Sequence, residues 1–151
     1  QGNVGLEARC AGVKAKVPAT QVLYVNGKSP SAMQTSITSK LQQDKSIDYV
    51  VTLGGPIAMV ATQSKTSAGS QAKVVTFDTN AALVNAIKGG DVQWAVDQQP
   101  FLQGYLAVDS LWLYLNNGNV LGGGQPTLTG PSFIDKTNID AVAKYAEAGT
   151  R

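Results

Sequence analysis

The sequence predicts an α/β domain organised as a doubly wound parallel sheet, and three observations predict it. Short β-rich runs alternate with helical stretches of about ten to fifteen residues, the order expected of βαβ units. The strand-to-helix junctions are punctuated at Asn26-Gly27, Gly54-Gly55-Pro56, Asp78-Thr79-Asn80 and Gln98-Gln99-Pro100, the residue types that break periodic structure. Length and composition suit one such domain, with 151 residues, 43% of them hydrophobic and 15% charged, enough chain for a core.

Each element has its own justification. Residues 5–17 carry Leu6, Cys10, Val13 and Val17 at helical spacing and stop at Pro18. Residues 21–25 are β-rich and closed by Asn26-Gly27. Ser29 or Ser31 can cap the next helix, which runs through Met33, Ile37 and Leu41. Residues 47–53 form a strand broken by Gly54-Gly55, with Pro56 suited to the first turn of the following helix. Residues 73–77 and 92–97 are apolar strands, each followed by a helix, at residues 81–88 and 101–116. Residues 117–129 are rich in Gly, Asn and Pro and read as a surface loop. An extended stretch at residues 131–135 and a short helix at residues 138–147 complete the tail.

A doubly wound sheet normally begins with a strand that lies centrally, whereas here the first element is a helix with only residues 1–4 ahead of it. Read in this way, the sheet lacks its first strand. Residues 21–25 and 47–53 then need a partner, because unpaired buried backbone groups cost about 1 to 3 kcal/mol each. Two arrangements meet that need: another polypeptide segment in the slot, or direct pairing of the two strands.

The most informative feature is a pairing of junctions. Asp78 and Gln98 follow consecutive strands at matching places, and in a parallel sheet such junctions gather at the carboxyl edge, where ligands bind. A carboxylate and an amide converging there suit a ligand rich in hydroxyl groups. Asp78 is equally readable as a helix cap, whereas Gln98 has little local structural reason to be an amide. Arg9, near the start of the first helix, can place several fixed donors on hydroxyls or a carboxylate; a solvated surface arginine is the even alternative.

Other chemistries are disfavoured. The chain has no histidine, which excludes Ser-His-Asp and Cys-His mechanisms and histidine metal sites. Gly27-Lys28-Ser29 resembles the end of a phosphate-binding loop, but the glycine needed five positions earlier is Val22, so a tight turn is the better reading. Gly122-Gly123-Gly124 is read as a flexible loop, Trp94 and Trp112 as core or interface residues, and the single cysteine, Cys10, as a buried thiol. The net charge of +2 comes from scattered residues such as Lys14, Lys28 and Lys45, so no nucleic-acid partner is expected. No apolar stretch approaches a membrane span.

Four stretches in this order resemble the C-terminal lobe of type I periplasmic sugar-binding proteins, the solute receptors of ABC importers. They are residues 2–12 with Asn3 and Arg9, residues 74–78 ending at Asp78, residues 86–90, and residues 98–108 beginning at Gln98; residues 129–138 look like that family's usual C-terminal stretch. The resemblance implies a flavodoxin-like lobe spanning residues 1–151, with residues 117–151 as loop and tail. It implies that Arg9 bonds sugar hydroxyls, that Asn3 is the polar loop residue before it, and that Asp78 and Gln98 bind ligand after the fourth and fifth strands. At Gly54 many relatives have asparagine; Gly54-Gly55-Pro56 here removes one side-chain contact and opens room for a bulkier solute or for backbone contacts. The expected partners are a sugar or polyol, an N-terminal lobe, and a membrane permease. The expected location is periplasmic or extracytoplasmic, with lipid anchoring of the full-length protein left open. No catalysis, cofactor or metal is expected. The effector lobe of a sugar-responsive transcription regulator and a sensory or quorum-signal receptor of the same fold remain alternatives.

Overall fold

The computed structural model describes residues 3–151; Gly2 of the first resembling stretch lies outside them. The sheet has four strands in the order β1 (Tyr49–Val51), β2 (Lys73–Phe77), β3 (Val92–Asp97) and β4 (Ser132–Asp135). The pairs β1–β2 and β2–β3 are parallel, and β4 runs antiparallel to β3, Ala95 facing Ile134 and Asp97 facing Ser132. The sheet is therefore mixed at one edge, where the sequence suggested only an extended stretch.

The helices are α1 (Val4–Lys16), α2 (Pro30–Gln43), α3 (Gly55–Ser67), α4 (Ala81–Gly89), α5 (Pro100–Asn117) and α6 (Ile139–Glu147). Their starts follow local chemistry. The side chains of Asn3, Ser29 and Asn80 accept from the backbone N–H groups of Leu6, Ala32 and Leu83, capping α1, α2 and α4, which satisfies otherwise orphaned donors. Pro30, Pro56 and Pro100 occupy the first turns of α2, α3 and α5, where a missing N–H is harmless. Asn80, not Asp78, is the cap of α4, so Asp78 is free of that role.

One layer packs tightly. α3 packs over β2 and α4 over β3, with α2 beside α3 and α6 beside α4, and the core joins Ile37 and Leu41 of α2, Ala58 and Ala61 of α3, Leu83 and Ile87 of α4, Val74, Val92 and Ile134 of the strands, and Ile139 of α6. Alanines on α3 let the helix approach the sheet closely. The other sheet face is only partly covered: Phe77, Trp94 and Val96 are half-buried, and Phe133 is exposed while its ring meets Trp94 edge-on at a centroid distance of 5.6 Å. Neither α1 nor α5 contributes a fully buried residue. Cys10, expected to be buried, is half-buried, and Trp112 is 60% exposed.

Residues 21–25 are a correction. They form no strand, and direct pairing with residues 47–53 does not occur; β1 is reduced to three residues. Val22, Leu23 and Tyr24 are exposed, and only Val25 packs against the core. The physical reason is that β-propensity reports fit to a pleated, partnered surface, and among the described residues no strand pairs with this segment. The segment is tied instead by Gln21, whose Nε2 donates to Asp44 Oδ2 at 3.2 Å.

Asp44 and the core each yield an expectation. Leu83 is fully buried, so Leu83→Ala should lower stability by about 2 to 5 kcal/mol, read as a shift of the urea midpoint. The Ser46 hydroxyl, at 2.6 Å, and then the Ser46 backbone N–H lower the Asp44 carboxyl to about 2, with Gln21 and Lys40 adding to the effect. A depressed carboxylate stabilises the fold fully above its unfolded value of about 4, and that contribution is lost as pH falls through about 2. The difference in urea midpoint between the wild type and Asp44→Asn should thus be present near neutrality and close on acidification. A pH-independent difference would show that the carboxylate charge is not its source.

Candidate functional site

Adjacent parallel strands end side by side, so the residues just beyond β2 and β3 meet. Gln98 Nε2 donates to Asp78 Oδ1 at 2.9 Å. Asp78 sits at φ 64°, in the left-handed region that Asp tolerates better than most residues, while its N–H is held by the Val96 carbonyl at 2.9 Å.

Arg9 of α1 completes the cluster. Its Nη1 donates to Asp78 Oδ2 at 2.9 Å and its Nη2 to Asp78 Oδ1 at 3.2 Å, a two-pronged pairing. Nη1 also donates to the Leu53 carbonyl at 2.8 Å, and the guanidinium carbon lies 4.8 Å from the centre of the Phe77 ring, in cation–π range. Arg9 is thus held by three different elements, α1, the end of β1 and the end of β2. The two side chains remain 19% and 32% exposed, so the pair stays within reach of solvent.

Not all hydrogen-bonding capacity is spent. Among the described residues Gln98 Oε1 accepts no bond, and Arg9 Nε donates none. Asp78 takes three donors where a carboxylate has about four acceptor sites. The cluster therefore offers acceptors and donors together on one edge. Each hydroxyl both donates and accepts, so neighbouring hydroxyls of one small molecule match this mixture better than a simple anion or cation does. The adjacent cleft, about 270 Å³, is lined by Arg9, Phe77, Val96, Gln98, Gln103 and residues 127–131. A larger hollow of about 510 Å³ lies between residues 45–49 and 69–73, at the amino ends of β1 and β2. The carboxyl edge is where open α/β sheets place ligands, so chemistry outweighs size.

Gly54 and Gly55 have opposite reasons to be glycine. A Cβ on Gly55 would lie 2.7 Å from Asn80 Nδ2 and disturb the cap of α4. A Cβ on Gly54 would meet nothing within 4 Å, and the extended backbone there (φ −179°) accepts any residue. The absent side chain leaves open space one residue from the Leu53 carbonyl. Asn3 spends its side chain on capping α1, Oδ1 accepting from Leu6 N at 3.0 Å, and makes no hydrogen bond to the cluster.

Several supporting residues escaped sequence reasoning. Asp97 is fully buried; its Oδ2 accepts from Arg151 Nε at 2.7 Å and its Oδ1 from the Gln99 N–H at 2.9 Å. The Gln98 carbonyl accepts from Thr129 Oγ1 at 2.8 Å and Gln103 Nε2 at 3.2 Å. The run of three glutamines at positions 98, 99 and 103 was the one local signal; their partners lie some thirty residues away. Among the described residues no group of His, Cys, Asp and Glu side chains could hold a metal ion, and no helix is long and apolar enough to cross a membrane.

A family model described as a periplasmic binding protein domain matches residues 1–119. A carbohydrate transporter from Acidothermus cellulolyticus 11B, solved in complex with myo-inositol, is 53% identical and superposes with a TM-score of 0.94, covering 100% of this chain and 53% of that one. An ABC transporter solute-binding protein from Agrobacterium vitis with bound D-fucose is 22% identical at a TM-score of 0.76, covering 92% of this chain and 50% of that one. A myo-inositol binding protein from Caulobacter is 22% identical at a TM-score of 0.69, covering 92% and 48%; at this identity the likeness establishes the fold. The chain spans about half the length of these proteins. Comparison with curated protein sequences yields no significant match. The strand order, the flanking helices and the match over most of the chain establish that it belongs to the periplasmic binding protein domain family, with the α/β fold of a type I lobe.

Proposed function

We propose that this chain is the C-terminal ligand-binding lobe of a two-lobed extracytoplasmic solute receptor, serving an ABC importer and taking a sugar or cyclic polyol. The observation that carries the reading is the Arg9–Asp78–Gln98 cluster at the carboxyl edge of the sheet, which keeps unspent donors and acceptors and two of whose members, Arg9 and Gln98, line a cleft. The myo-inositol complex of the relative at 53% identity supports a polyhydroxylated ring as ligand. Asp78 and Gln98 bind ring hydroxyls, Arg9 both orients Asp78 and donates to ligand oxygens, and the space at Gly54 accommodates the ring or a substituent. Asn3 contributes by fixing the start of α1 and hence the position of Arg9.

In this reading a second lobe closes over the ligand, and closure presents a new surface to the membrane permease. Helix α5 supplies support for the second lobe. Tyr105, Val108, Trp112 and Leu115 are all more than half exposed and recur at helical spacing, so they form one apolar face. A contiguous exposed apolar face marks an interaction surface. The chain also spans only about half of its relatives, which leaves a lobe's worth of protein to cover α5. Lipid anchoring of the whole receptor is compatible with this arrangement and is not required by it.

Two measurements test the proposal. In the two-lobed receptor, Asp78→Ala should weaken myo-inositol binding by about 1.5 to 3 kcal/mol, the range for a hydrogen bond to a charged group. Calorimetric titration with unchanged affinity would remove Asp78 from the site. Trp112→Ala should cost the two-lobed receptor about 3 to 5 kcal/mol, as for a buried aromatic, yet change the stability of this chain alone by no more than about 0.5 kcal/mol. Equal effects in both would reject α5 as the lobe-facing surface.

A further inference from the structure

Gln98 belongs to two hydrogen-bonded groups at once. Its side chain donates to Asp78 Oδ1 at 2.9 Å, in the carboxylate cluster. Its backbone carbonyl lies where the segment leading into α5 crosses residues 127–131, and there it accepts from Thr129 Oγ1 at 2.8 Å and from Gln103 Nε2 at 3.2 Å. Gln103 Nε2 also donates to Thr129 Oγ1 at 3.1 Å, and Gln99 Nε2 donates to the Thr129 carbonyl. The Thr129 hydroxyl is therefore the centre of the crossing, accepting from one glutamine and donating to another.

The crossing is also tight and conformationally committed. A Cβ on Gly130 would come within 2.9 Å of the Asp97 carbonyl oxygen and 3.2 Å of the Gln98 Cα, so only glycine fits beside this peptide. Gln99 stands at φ 57°, in the left-handed region, where a residue without a short polar side chain is disfavoured. The bonds that its N–H donates to Asp97 Oδ1 and its Nε2 donates to the Thr129 carbonyl hold it there. The plane of the peptide between Gln98 and Gln99 is thus held from outside, and that plane, through ψ at Gln98, constrains the direction in which the Gln98 side chain leaves the backbone.

We propose that Thr129 is a positioning residue for the ligand site: its hydroxyl orients the Gln98 peptide and thereby aims the Gln98 amide at Asp78 and the ligand. This rests on the reading of the Arg9–Asp78–Gln98 cluster as a polyol site. Thr129 lines the same cleft, and the role assigned to it is exerted through the Gln98 peptide. Valine at this position keeps the shape of threonine and removes both the donor to the Gln98 carbonyl and the acceptor for Gln103 Nε2, while the Gln103 bond to the Gln98 carbonyl does not depend on the hydroxyl.

The test is a double-mutant cycle in the two-lobed receptor, with myo-inositol as probe and the Gln98 side-chain amide followed by NMR. In the unliganded receptor, Thr129→Val should shift and broaden the Gln98 amide resonance, and Thr129→Ser should return it. Binding should weaken about threefold to tenfold in Thr129→Val, the loss of one neutral hydrogen bond, and recover in Thr129→Ser. In a Gln98→Ala background Thr129→Val should have no further effect, since non-additivity marks residues that act through one another. An unmoved Gln98 resonance in Thr129→Val, or equal affinity losses in both backgrounds, would overturn the positioning role. A displaced resonance in a receptor that binds neither myo-inositol nor D-fucose would support the positioning role and count against the polyol reading alone.

Discussion

The carboxyl edge of this molecule is organised around one carboxylate. Asp78 receives both prongs of Arg9 and the amide of Gln98, and these three residues come from a helix and two strand ends separated widely in sequence. Parallel pairing of β2 with β3 is what makes this meeting possible, because neighbouring strands lie about 4.8 Å apart and end on the same edge. The left-handed backbone at Asp78 turns the carboxylate out of the strand direction. A partly exposed ion pair contributes little to stability, about 1 kcal/mol or less. Its consequence here is geometric: Arg9 and Gln98 are held in fixed orientations with part of their hydrogen-bonding capacity unused.

The rest of the architecture divides into a half that is complete in itself and a half that is not. The layer of α2, α3, α4 and α6 buries a continuous apolar core against one sheet face, and that burial supplies the main driving force for folding. On the other side the sheet presents half-buried Trp94 and Val96, and α5 presents exposed Trp112 and Leu115. The cluster draws Arg9 from α1, outside that packed layer, and Asp78 and Gln98 from the ends of the strands the layer covers.

Much of this was determined by the sequence alone. The strands at 73–77 and 92–97, the helices that follow them and the Gly-Pro start of α3 are local events, governed by periodicity, caps and turn residues within a few positions. The matching of Asp78 with Gln98 was also legible, because two consecutive strand-helix units of similar length must end at the same edge if the strands pair in parallel. What only the tertiary structure decided is non-local. Residues 21–25 have a strand's composition but no strand, since a ladder needs a second backbone and composition cannot supply one. Residues 131–135 were extended on either reading, and their antiparallel direction against β3 followed from the path of the intervening loop. The pattern of Arg9 left a solvated surface position and a place in the junction cluster equally open; its contacts with Leu53, Phe77 and Asp78, 44, 68 and 69 positions away, put it in the cluster. Sequence encodes what adjacent residues can do for one another, whereas the partner of a buried or functional side chain is chosen by how the finished elements pack.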